Sequence, residues 1–157
     1  MIDPVGGNLI TIAALDELWQ LKIKLGAYDT VEKQYGTELE GADYINVQIE
    51  DNGYLTVSWM KTIPYEDTHY SSLFSAMVLP GKNTVLNPEE IEERQKKFVA
   101  VQSVVDHFED KLQMKGAPFP YRDKGKLVVG FETEKEDYNV IVSDQGKILK
   151  IEHFALR

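Results

Sequence analysis

The densest cluster of polar and aromatic side chains in the chain is Tyr65-Glu66-Asp67-Thr68-His69-Tyr70. A carboxylate beside an imidazole can relay a proton, so His69 with Glu66 or Asp67 could perform general acid–base chemistry. Neighbours in sequence need not be neighbours in space, however, and a solvated polar loop has the same composition. His107 and Asp110 sit three residues apart on a predicted helix and could share a face as metal ligands do. No second His or Glu completes a Glu-x-x-His or His-x-x-x-His spacing, so His107 reads as a surface histidine. Pro80-Gly81-Lys82-Asn83-Thr84 has the lysine of a phosphate loop without its frame. Ala76 stands where the first glycine belongs, and Asn83 where a hydroxyl belongs. Ser71, Ser72 and Ser75 lie in no nucleophile-elbow pattern, and no glycine-rich dinucleotide fingerprint occurs. The chain has 0 cysteines, which excludes a thiol nucleophile, a disulfide framework and every Cys-ligated metal site. The sequence therefore names no catalytic residue, no cofactor and no metal centre.

Charge gives a stronger signal than chemistry. The formal net charge is −9 over 157 residues. Residues 29–67 hold nine acidic groups (Asp29, Glu32, Glu38, Glu40, Asp43, Glu50, Asp51, Glu66, Asp67) against Lys33 and Lys61, a net of −7. Such a field opposes nucleic acid and anionic membrane and suits a protein with a basic surface. A plain solubility-promoting surface would look the same. Residues 1–7 carry no basic region and no apolar core of a secretory signal, and no apolar run approaches the ~20 residues of a membrane span. A cytoplasmic setting is the expectation.

The elements that must position these groups are legible in part. Pro88 to Lys115 reads as one long amphipathic helix. Asn87 is a good N-cap, Pro88 suits the first helical position, and Glu90 completes a variant capping box. Glutamates load the first turns and Lys111 and Lys115 the last. Glu92–Lys96 and Glu93–Lys97 are favourable i,i+4 pairs, and Gly116 and Pro118 end the helix. Its stripe is Ile91, Phe98, Val101, Val105, Phe108 and Leu112. Ile45–Ile49 and Leu55–Trp59 alternate about Asp51-Asn52-Gly53, a hairpin signal. Leu127–Phe131, Tyr138–Val142 and Ile148–Phe154 read as a three-stranded meander. The last of these hairpins, with Tyr138-Asn139-Val140-Ile141-Val142 before Asp144-Gln145-Gly146-Lys147, resembles PepSY-like repeats in a general way. The likeness covers a minority of the chain, and no function is drawn from it.

Earlier residues are ambiguous. Trp19, Leu21, Ile23 and Leu25 alternate with polar residues, which argues strand. Residues 11–18 suit a short helix or another strand, and residues 29–35 one or two helical turns. Residues 71–79 read as a buried strand, and 80–90 and 116–126 as the main loops. The expectation is a single α+β domain over 1–157: a curved antiparallel sheet with the 88–115 helix packed on one face, and Trp19 and Trp59 in its core.

The functional expectation is a non-enzymatic, acidic protein-binding module, of the inhibitor or immunity type, that masks a basic partner surface. Glu38, Glu40, Asp43, Glu50 and Asp51 would supply charge. Phe119, Tyr121 and Arg122, in a segment stiffened by Pro118 and Pro120, would supply hot-spot side chains, unless the aromatics fold back over the core. The alternative is a small-molecule binder with a pocket between sheet and helix lined by Trp59, Tyr65, His69, Tyr70 and Phe98. An enzyme using the His69 loop is the third reading.

Overall fold

The computed structural model describes residues 12–66, 68–82 and 84–156. Residues 1–7, Thr11, Asp67 of the polar cluster and Asn83 of the 80–84 turn lie outside the described residues. The order of elements is α1 (Ile12–Glu40), β1 (Tyr44–Ile49), β2 (Leu55–Tyr65), β3 (Thr68–Val78), α2 (Pro88–Phe108), β4 (Lys115–Asp123), β5 (Lys126–Glu132), β6 (Glu136–Val142) and β7 (Ile148–Ala155). The strands form two antiparallel sheets, β1-β2-β3 and β4-β5-β6-β7. The α+β class expected from the sequence is present, with its strands divided between two sheets. By contact density the chain resolves into two compact units. The first comprises Met1–Gly41, Ile45–Trp59 and Ser75–Asn87; the second comprises Ala42–Tyr44, Met60–Phe74 and Pro88–Arg157.

In the first unit, α1 buries Ala27, Val31, Tyr35 and Leu39 at four-residue steps, the periodicity of one helix face. The buried side chains of Leu55, Val57, Trp59, Ala76, Val78 and Val85 complete this core. The Tyr35 and Trp59 rings lie 5.9 Å apart. Tyr35 also marks a kink, with φ −127° and ψ 28°. The alternation at residues 19–25, which argues strand, sits on a helix instead. Alternation separates two faces only in an extended backbone; in a helix each residue turns by about 100°. Leu18, Trp19, Leu21 and Leu25 consequently miss the buried stripe and stand 60%, 61%, 54% and 55% exposed. Trp59 is a core residue as expected, and Trp19 is not. The hairpin about Asp51-Asn52-Gly53 forms as expected. Gly53 takes φ 87°, its N–H donates to the Glu50 carbonyl, and the Tyr54 N–H donates to Asn52 Oδ1. The Asn87 side chain engages β3, accepting from the Met77 N–H at 2.8 Å and donating to the Ser75 carbonyl at 2.9 Å.

In the second unit, α2 lies against β4 and β5. Val101, Val104, Val105 and Phe108 of the helix share a core with Leu127, Val129, Phe131, Val140 and Val142 of the sheet. Phe98 and Leu112 of the expected stripe are packed against it, partly buried. The meander pairs in register: Val129 faces Val140 and Val140 faces Ile151. Two boundaries differ from the sequence expectation. The helix ends at Phe108, because Asp110 takes a left-handed conformation (φ 65°) that aspartate tolerates and that closes the last turn. The 116–126 segment is mostly strand β4, not loop. Prolines at 118 and 120 remove donors on one side only, and β4 is an edge strand, which has one unpaired side.

Candidate functional site

The residues expected to carry function fall into four places. The first is the polar cluster on the β2–β3 hairpin. His69 is exposed near the start of β3, and Glu66 takes a left-handed turn conformation (φ 48°). Tyr65 is buried, and its hydroxyl reaches the carbonyls of Phe108 and Leu112 just past the end of α2. Burial, and then the nearby carboxylates of Glu66, Asp110 and Glu109, raise the Tyr65 pKa above the usual tyrosine value. This tyrosine is held as a neutral structural donor. Among the described residues no group of three His, Asp or Glu side chains could hold a metal ion.

The second place is the set expected to line a ligand pocket. Tyr70 and Phe98 come together with ring centroids 6.4 Å apart, and Phe74 meets Phe98 edge-on at 6.2 Å. The Lys61 ammonium stands 4.6 Å from the Phe98 centroid, a cation–π distance. Burial raises the Tyr70 pKa, while its hydrogen bond with Ser72 and the Arg94 charge act in the opposite direction. Trp59 belongs to the first unit, where it packs on Tyr35. Tyr65 is bound to the segment after α2, and His69 points to solvent. Tyr65, Tyr70 and Phe98 share the core of the second unit, while Trp59 lies in the first unit and His69 is exposed.

The third place is β4. Phe119 is 66% exposed and stacks on Tyr121 at 6.1 Å with an interplanar angle of 26°. Arg122 is engaged within the second unit. Its Nε and Nη2 donate to Glu93 of α2, with the shortest contact 2.6 Å, and Nη1 donates to Asp144 at 3.0 Å and to the Gly125 carbonyl at 3.1 Å. These bonds hold the Glu93 and Asp144 carboxyls below their ordinary values, first through the hydrogen bond with Arg122 and then through its charge, against some desolvation. Lys96 also reaches Asp144, at 3.7 Å. Glu93 also feels the charge of Lys97, its expected i,i+4 partner, but the Arg122 fork is the stronger contact, because a guanidinium matches a carboxylate with two parallel bonds. Arg122 ties α2 to β4 and to the β6–β7 turn.

The fourth place is the acidic region. Asp29, Glu32, Glu40, Asp43, Asp51 and Glu66 are exposed, and Glu38 and Glu50 half-buried. Asp29, Glu32, Glu40, Asp43, Glu50, Asp51 and Glu66 form no ion pair with any described lysine, arginine or histidine. Glu32 accepts a hydrogen bond from Tyr28, whose pKa is raised by burial and by that carboxylate.

What the sequence did not signal is how α1 combines charge with apolar surface. At about 100° per residue, Leu18, Leu21, Leu25, Asp29 and Glu32 project to one side of the helix over roughly 21 Å. All five are exposed. The spacing i, i+3, i+7 of the leucines could have disclosed this face, but only after the segment had been assigned to helix rather than strand. Comparison with known proteins finds no family model, no curated protein and no solved structure that matches the chain.

Proposed function

We propose that the protein is a non-enzymatic binding module whose outward α1 face docks a basic, amphipathic segment of a partner protein. One observation carries this reading: exposed leucines at helical spacing run directly into carboxylates that form no ion pair with a described basic residue. Leu18, Leu21 and Leu25 would supply the desolvated centre of the contact, and aliphatic or aromatic anchors on the partner would fill it. Asp29 and Glu32 would sit at its rim, speeding encounter and fixing orientation towards a cationic partner. Glu40, Glu50 and Asp51 extend the negative field. An inhibitor or immunity-type role in the cytoplasm, masking a basic surface, is the biological form of the same proposal. Phe119 and Tyr121 of β4 are a subsidiary contact; Arg122 is committed within the protein.

The test compares capture from native-host lysate by the wild type, by Leu21→Glu/Leu25→Glu and by Asp29→Asn/Glu32→Gln. All four positions are exposed, so folding should survive, which circular dichroism checks. A specific partner is retained by the wild type, lost with the leucine pair, and weakened by the carboxylate pair and by rising salt. A partner retained equally by all three proteins would reject the α1 face.

A further inference from the structure

The first unit contains a solvent-open cavity of about 300 Å³ between the first half of α1 and the turn after β3. That volume equals the liquid share of roughly ten water molecules and lies at the small end of the range for ligand pockets. Trp19, Ile23, Leu55 and Val78 form apolar parts of its wall. Lys22 and Lys82 also line it, one from the helix and one from the turn, and neither forms an ion pair with a described residue. Two lysines with no ion pair to a described residue, set at one partly apolar cavity, stand out in a chain of net charge −9.

Gly26, another wall residue, points the same way. Glycine is a poor residue for the interior of a helix. Gly26 does not need glycine for a positive φ, and a Cβ built there would meet nothing within 4 Å. Neither backbone conformation nor close packing requires the missing side chain; its absence leaves the cavity open.

We propose that this cavity binds a small amphipathic carboxylate. The hydrocarbon body lies against Trp19, Ile23, Leu55 and Val78, and the carboxylate is held by Lys22 and Lys82. Flexible lysines accept a carboxylate as point charges without demanding a planar fork, and the apolar wall requires that the remainder of the ligand carry no second charge. The site does not rest on the docking reading, because Leu18, Leu21 and Leu25 are not part of its wall.

Octanoate and its uncharged analogue octanamide are the probes, titrated by calorimetry and by tryptophan emission. Trp59 is fully buried, so a blue shift on addition reports Trp19 losing water. Octanoate should bind saturably with that shift, and octanamide about ten-fold more weakly, as expected from loss of charge-assisted contacts. Lys22→Met/Lys82→Met should bring octanoate down to the level of the amide and leave the amide unchanged. Gly26→Leu should abolish both while melting no lower than wild type. Leu21→Glu/Leu25→Glu should leave octanoate affinity unaltered, which separates this site from the docking face. Absence of saturable binding, equal binding of acid and amide, or full binding by the folded Gly26→Leu variant would each overturn the proposal.

Discussion

Gly146 in the β6–β7 turn offers a quantitative test of how the second unit is packed. It has φ +85°, and a Cβ there would stand 2.6 Å from Val99 Cγ1 and 3.2 Å from Ser103 Oγ, both on α2. The same turn receives a hydrogen bond from the Ser103 hydroxyl to the Gly146 carbonyl at 2.7 Å. Gly146→Ala therefore carries two penalties. The left-handed backbone costs an L-residue about 1–2 kcal/mol. Overpacking adds about 1–2 kcal/mol, the lower part of the usual range, since Val99 is partly exposed and can give way. The sum is about 2–4 kcal/mol, or roughly 5–15 °C in Tm for a chain of this size. Gly125→Ala is the internal control: φ is +82° and a Cβ meets nothing within 4 Å, so only the backbone penalty of about 1–2 kcal/mol applies. Urea denaturation of the two variants, followed by far-UV circular dichroism, gives the comparison. Equal destabilisation would refute the close approach of the turn to α2.

Tyr65→Phe removes the hydroxyl that serves the Phe108 and Leu112 carbonyls and should destabilise by about 1–2 kcal/mol in the same assay. Phe108→Ala should cost about 3–5 kcal/mol, because its ring meets Phe131 at 5.1 Å and Tyr138 at 5.7 Å; Phe108→Asp should abolish cooperative unfolding. Glu93 and Asp144 have folded pKa values depressed from their ordinary 4.5 and 3.8, so the stability they confer is complete above those values and is lost as pH falls through the folded ones. Acid titration of Arg122→Met, which lacks the partner of both carboxylates, should show a shallower loss of stability below about pH 4.5 than the wild type. Both carboxylates are partly exposed, so added salt should reduce the difference.

Segments whose local signals agree were readable from sequence. The α2 stripe, its proline start and its glutamate-rich first turns all specify one helix, and its end was misplaced only because Asp110 closes it without a glycine. The meander was readable because its inward residues alternate between turn signals. At α1 the signals conflict. Exposed apolar residues at 19, 21 and 25 imitate a strand, while the first buried member of the stripe among the described side chains is Ala27, beyond the alternating stretch. Strand β4 was hidden by two prolines that matter little on a sheet edge. The carboxylates of the acidic region could be found by composition alone. The engagement of Arg122 could not, since its partners Glu93 and Asp144 are 29 and 22 residues away in sequence. The α1 face needed the helix assignment first, and the cavity needed the fold.

The docking face is tested most directly by photo-cross-linking in native-host lysate from position 21, with a probe at Leu149, an exposed residue of β7, as the comparison site. A probe at 21 should yield one heterologous adduct through a basic partner segment, diminished by salt and by Asp29→Asn/Glu32→Gln, and absent with the probe at 149. An adduct with a second copy of this chain alone, or one indifferent to salt and to those carboxylates, would contradict it.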